Sequence, residues 1–198
     1  MTCPSNPGVQ KFKDFLAGKT GDRVFTHAAG HPSQPTGFCP CDQGPLAVLW
    51  FYFKATLLVT LLKLPFNGPK ISLLRKLGAR IGQHVFISVD VWIDPAFPRL
   101  LTIEDHVMVG VGARIAMHEF GQDQFRAGRV TIRKGAIIGG FSLIGYGVEI
   151  GEGATVAGGA VVPRDVPPGM IAIGNPARVL RRKPEGSETA ITPDAGVV

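Results

Sequence analysis

An aliphatic residue recurs every six positions through the middle of this chain: Ile81, Ile87 and Ile93, then Ile103, Val109 and Ile115, then Ile132, Ile138, Ile144, Ile150, Val156 and Val162. Four positions after most of them comes a second residue, often a small one: Val85, Val91, Val107, Ala113, Ala136, Ser142, Val148, Ala154, Ala160 or Val166. Glycine often follows the aliphatic residue directly, as in Ile81-Gly82, Ile138-Gly139 and Ile150-Gly151. A period of six suits neither an amphipathic helix nor the two-residue alternation of an ordinary strand. It suits a β-solenoid with three short strands per coil. The aliphatic residue fills the inside of a triangular prism, and the residue four later lies at a corner with little room. Successive coils then stack about 4.8 Å apart. The series is interrupted after Ile93 and, at greater length, over residues 119–131.

The flanks follow other patterns. Residues 1–45 are rich in Pro, Gly, Ser and Cys and read as an irregular N-terminal arm, with a short helical pattern near Phe12–Leu16. Residues 46–80 read as an apolar helix, a turn at Asn67-Gly68-Pro69 and a short helix through Ile71–Leu77, stopped by Gly78. Residues 184–198 show little apolar periodicity and read as a disordered tail. The repeats occupy 81–183. In the stretch Leu46–Phe66, Lys54 and Lys63 interrupt the apolar run and Pro65 ends it. The uninterrupted part is shorter than the roughly 20 residues that cross a bilayer. It packs on the domain or lies at a membrane surface, and packing is the plainer reading.

Composition narrows the class. The chain has 26 glycines, and the tight turns of the coils explain the excess. The net charge of +6 allows an anionic surface, nucleic acid or a phosphorylated cofactor. Arg164, Arg178, Arg181, Arg182 and Lys183 cluster at the end of the repeats, without interleaved aromatics. That suits a small polyanion and not a nucleic-acid track. Cys3, Cys39 and Cys41 form no disulfide framework, and the N-terminus lacks a signal pattern, so a cytoplasmic location is expected, with membrane association as the added option for 46–66.

From about Leu46 to Lys183 the chain resembles the hexapeptide-repeat acyltransferases. The stretch LWFYFKATLL…LLRKLGARIGQHVFI resembles sugar and exopolysaccharide O-acetyltransferases. VAGGAVVPRDVPPGMIAIGNPARVLRRK is close to the family's C-terminal signature. The resemblance implies a mainly β fold, a left-handed parallel β-helix with an N-terminal helical extension, in a homotrimer. It implies transfer of an acetyl group from acetyl-CoA to a hydroxyl of a saccharide or similar small acceptor. His118, which ends a hexad just before the long interruption, matches the family's catalytic histidine. An imidazole suits the task because its ordinary pKa lies near neutrality. Gly139, Gly140 and Gly158 match positions whose backbone faces the cofactor, although each also suits a corner. Arg164, Arg178 and Arg181 match positions near the phosphates, which guanidinium groups grip with paired hydrogen bonds. Pro163 stands where the family often has Thr, so one hydroxyl contact is missing.

Other groups are weaker. Glu119 follows His118 but on an extended segment points to the opposite side, leaving the partner of His118 unidentified. His84 and His106 recur at equivalent turns, one coil apart, and read as surface residues. His27, His31, Cys39 and Cys41 have the types of zinc ligands, but with an unusual Cys-x-Cys spacing in an irregular arm. No metal is expected. The alternatives are a non-catalytic β-helix scaffold, or a metal-dependent lyase of the carbonic-anhydrase type, whose histidine pair is missing here.

Overall fold

The computed structural model describes residues 7–28, 45–121 and 124–181. The tail 184–198, Arg182 and Lys183, and Cys3, His31, Cys39 and Cys41 lie outside the described residues. The repeats form three parallel sheets. One joins β2 (Arg80–Ile81), β5 (Leu101–Ile103), β10 (Val130–Ile132) and β13 (Glu149–Ile150). The second joins β3 (Phe86–Ile87), β6 (Met108–Val109), β11 (Ile137–Ile138), β14 (Thr155–Val156) and β16 (Met170–Ile173), with β17 (Arg178–Arg181) added antiparallel at its end. The third joins β4 (Trp92–Ile93), β7 (Arg114–Ile115), β12 (Leu143–Ile144) and β15 (Val161–Val162). The chain visits the sheets in turn, which is a parallel β-helix.

The hexad residues stack as the pattern requires. Ile81, Ile103, Ile132 and Ile150 pair along one ladder, and Ile93, Ile115, Ile144 and Val162 along another. All are buried, and so are the small residues four positions later, from Val85 to Val166. The residue before each hexad aliphatic faces outward, as Phe86, Met108 and Ile137 do. Burying a run of Val and Ile side chains at about 1.5–3 kcal/mol each stabilises a coil that local hydrogen bonds alone could not. Across the first sheet's outer face, Arg133 bonds Glu104 at 2.8 Å and Glu149 at 2.9 Å, joining three coils. The hydrogen bond from Arg133 holds the Glu104 carboxyl below its ordinary value of 4.5. A depressed carboxylate contributes stability that is complete above the ordinary value and lost as pH falls through the folded one. Glu104→Gln should therefore lower Tm above pH 4.5 and converge with the parent in more acid solution. The pair is partly exposed, so the gap should be about 1 kcal/mol or less; a Tm series against pH reads it.

The open first coil is covered by α3 (Asn67–Lys76), whose polar side chains meet its free edge. Asn67 donates to Val85 O at 2.8 Å and accepts from Ile87 N at 2.9 Å. The buried Lys70 donates to Ile87 O and Ser88 O, and burial pulls its pKa down. Asn67-Gly68-Pro69 is thus the first turn of this helix and not a separate turn. Gly78, at φ +97, ends the segment as expected.

Two expectations change. The arm is not wholly irregular: it holds α1 (Pro7–Leu16) and β1 (Val24–Ala28). Phe12 and Phe15 are buried, and Phe12 packs within 5.3 Å of the rings of Phe25, Phe97 and Phe125. Aromatic burial against the coil orders a segment whose composition reads as loop. The apolar helix α2 (Pro45–Lys63) is present, but the packing reading holds for one face: only Leu58 and Leu62 are buried.

Candidate active site

Both interruptions of the coil fall at the same edge of the prism, after the third-sheet strand. Ile81 and Ile103 lie 22 residues apart, four more than the 18 between Ile132 and Ile150. The four added residues follow Ile93, in Asp94-Pro95-Ala96-Phe97. The longer interruption forms a hairpin of β8 (His118–Phe120) and β9 (Gln124–Gly128). Strand β1 of the arm pairs with the outer edge of β9, from Val24↔Gly128 to Ala28↔Gln124. The loop is therefore a three-stranded sheet, held at one side by the N-terminal arm.

Because Ile93 and Ile115 are paired, Asp94 and His118 meet across adjacent coils. His118 Nδ1 is in hydrogen-bond contact with Asp94 Oδ2. Asp94 is fixed in turn: Oδ1 accepts from Ala96 N at 2.9 Å and Oδ2 from Met117 N at 3.2 Å. The Asp94 side chain is 1 % exposed and the imidazole 23 %. The carboxylate thus has no access to water, whereas the ring reaches solvent. A carboxylate only accepts, so Nδ1 carries the hydrogen, which in the neutral ring leaves the lone pair on Nε2. The ring packs edge-on to Phe97 and Phe120, with centroids 5.2 and 5.4 Å away. Asp94 is the partner that the sequence left unidentified. Glu119, paired in register with Arg126, is exposed and faces away from the ring.

A groove of about 650 Å³ runs along the same edge toward the C-terminal coils, lined by Glu119, Tyr146 and Arg164 among others. Arg23 from the arm closes one side through a 2.7 Å ion pair with Asp165. Arg126 donates to the Tyr146 hydroxyl at 3.0 Å, tying the hairpin to the next coil.

The other expected residues fall elsewhere. Gly139 and Gly140 follow the second-sheet strand β11, and Gly158 stands one coil further along the same edge. A methyl on Gly139 would sit 2.5 Å from Gly158 N, and one on Gly110 2.6 Å from Gly140 N. This edge is backbone packed on backbone. Gly139 N donates to Val156 O at 2.8 Å and is engaged in the coil ladder, while Gly140 N has no backbone acceptor among the described residues. Arg178 pairs with Ile173 at the end of this sheet, one coil beyond Gly158, and Arg181 lies at the far end of the same strand. Arg164 shares the His118 edge. One face of the prism, six residues or at most about 20 Å of chain, separates the two edges. His84 and His106 stack with centroids 5.0 Å apart at exposed turns, as the coil register predicts.

Comparison with known proteins agrees with this architecture. The family described as bacterial transferase hexapeptide (six repeats) matches residues 129–164. YvoF of Bacillus subtilis (strain 168), which carries an acetyltransferase assignment, is 34% identical over 125 residues, 63% of this chain and 73% of its own. A hexapeptide-repeat acetyltransferase of Vibrio cholerae O1 biovar eltor, solved in complex with acetyl-coenzyme A, superposes with a TM-score of 0.56. It is 26% identical, over 68% of this chain and 87% of that one. A galactoside acetyltransferase in complex with coenzyme A shares the fold, with a TM-score of 0.55 at 18% identity, over 70% and 84% of the two chains. The repeat, the three-sheet coil and the relationship to YvoF make this chain a member of the hexapeptide-repeat acetyltransferase family.

Proposed function

We propose that the protein moves an acetyl group from acetyl-CoA to a hydroxyl of a saccharide or similar small acceptor, with His118 as general base and Asp94 as the residue that positions it. The observation that carries this reading is the contact between the buried Asp94 carboxylate and the partly exposed His118 ring at the foot of the β8–β9 hairpin. A hydroxyl attacks a thioester poorly until its proton is removed. His118 Nε2 takes that proton as the acceptor oxygen bonds to the acetyl carbonyl carbon. The imidazolium, stabilised by Asp94, then protonates the thiolate as the carbon–sulfur bond breaks. Gly140 N is the available donor of the glycine pair for the developing oxyanion.

Arg164, Arg178 and Arg181 are exposed and suited to the phosphates of the donor. They and the glycines divide between two edges, which supports a site shared between subunits. In a homotrimer of left-handed β-helices, the His118 edge of one protomer faces the glycine edge of its neighbour, and the donor lies between them.

The reading is tested by CoA thiol release from acetyl-CoA over a panel of saccharide acceptors. Turnover with at least one hydroxyl acceptor supports it; an absence of CoA binding in calorimetry would leave the scaffold alternative. The glycines separate corner from site. Gly158 is exposed, and an added methyl would find only Gly140 O, at 3.4 Å. Gly158→Ala should keep Tm and weaken CoA about tenfold, or 1.4 kcal/mol. Gly139→Ala meets only backbone within 2.5–2.7 Å and should lower Tm. Calorimetry and thermal melts check both.

A further inference from the structure

Helix α2 is the largest feature the chemistry leaves unexplained. Its inner face packs on α3 and β4 through Leu58 and Leu62. Its outer face is apolar and bare: Leu46 is 81% exposed, Trp50 59% and Phe53 57%, with Leu49, Tyr52 and Leu57 beside them. At about 100° per residue, Leu46, Leu49, Phe53 and Leu57 fall within roughly 40° of one direction, with Trp50 at about 60°. Lys54 and Lys63 lie on opposite sides of this stripe, roughly 80–100° from its centre. The Lys54 ammonium sits 5.6 Å from the Trp50 ring centroid, and Trp50 stacks on Phe53. The charge around the stripe is of one sign. From residue 43 to 89 the sequence has no Asp or Glu, but it has Lys54, Lys63, Arg75, Lys76 and Arg80 besides the buried Lys70.

We propose that α2 is a membrane-docking helix that lies in the plane of an anionic lipid surface. A helix lying flat at an interface buries one apolar stripe in the acyl boundary and holds cations at the waterline on both sides. Indole and phenol rings prefer that depth, and Trp50 and Tyr52 carry them here. The absence of acidic residues removes repulsion from phosphate headgroups. The helix lies on the bilayer and does not cross it, because its C-terminal half is held against α3 and β4, leaving fewer free residues than the roughly 20 a span requires.

Flotation of the full-length protein with vesicles of phosphatidylcholine, with and without phosphatidylglycerol, tests this. Binding should be about tenfold or more tighter to the anionic vesicles. Trp50 emission should shift to the blue on binding, read in a Trp92→Phe background because Trp92, the only other tryptophan, lies on β4, against which α2 packs. Trp50→Ser/Phe53→Ser and, separately, Lys54→Glu/Lys63→Glu should abolish flotation without changing sedimentation mass or CoA release in solution. Parent protein that stays out of the vesicle fraction would overturn the proposal, as would variants that float equally well. A smaller sedimentation mass for the serine variant would also overturn it, by showing that a second copy of the chain covers the stripe.

Discussion

Replacing His118 with alanine is expected to lower acetyl transfer by about 10²–10⁴-fold, the usual contribution of a positioned base. The variant should remain folded. The ring is partly exposed and touches Phe97 and Phe120 at its edges, so truncation opens no enclosed cavity. Asp94 keeps its bonds from Ala96 N and Met117 N, so the buried carboxylate is not left without donors. CoA affinity should stay close to that of the parent, because the donor's phosphates are assigned to Arg164, Arg178 and Arg181. The loss should therefore appear in kcat and not in KM for acetyl-CoA, read by thiol release and calorimetry on the same preparation. Near-normal kcat would remove His118 from the chemistry.

Asp94→Asn should have an effect of similar order, about 10²–10⁴-fold, although Asp94 touches neither acceptor nor donor in this account. Both carboxylate oxygens accept backbone N–H groups, and one also accepts from the ring. An amide has one oxygen. If that oxygen takes Ala96 N–H, the amide nitrogen faces Met117 N–H and His118 Nδ1. The ring must then accept at Nδ1 and carry its hydrogen on Nε2, the atom that has to take the proton. Asp94→Ala should be slow and also less stable, since the buried Met117 N–H loses its acceptor at about 1–3 kcal/mol and the partly buried Ala96 N–H loses its own. A role in positioning differs from a role in packing at one readout. The loss in Asp94→Asn should fall on kcat with Tm and KM for acetyl-CoA close to the parent's, whereas a merely loosened fold would lower Tm together with kcat.

Much of this was legible from the order of residues. The six-residue period fixes which side chains point inward, because a prism of three short strands leaves no other use for Ile138, Ile144 and Ile150. The position of His118 before the long interruption was legible for the same reason. Asp94 was not, because its partner lies 24 residues away and it sits in what reads as a defect of the repeat. The signal existed: both interruptions follow a third-sheet strand, so aligning Ile93 with Ile115 brings Asp94 beside the segment that ends in His118. The ordered part of the arm was hidden for another reason. Helix α1 and strand β1 are short, and tertiary burial of Phe12 and Phe15 together with the free edge of β9 gives them their structure. The two-edge division of the glycines and His118 depends on the phase of each strand in the coil, which periodicity states but motif matching conceals.

The central claim is that Asp94 and His118 act as one proton-accepting unit in acetyl transfer. The measurement that tests it most directly is kcat for Asp94→Asn, His118→Ala and the double variant, with acetyl-CoA and a responsive saccharide. Residues that work as a unit are strongly non-additive. The double variant should be no slower than His118→Ala alone, with CoA affinity unchanged in all three. Losses that multiply, with the double variant slower by the product of the two single effects, would contradict it.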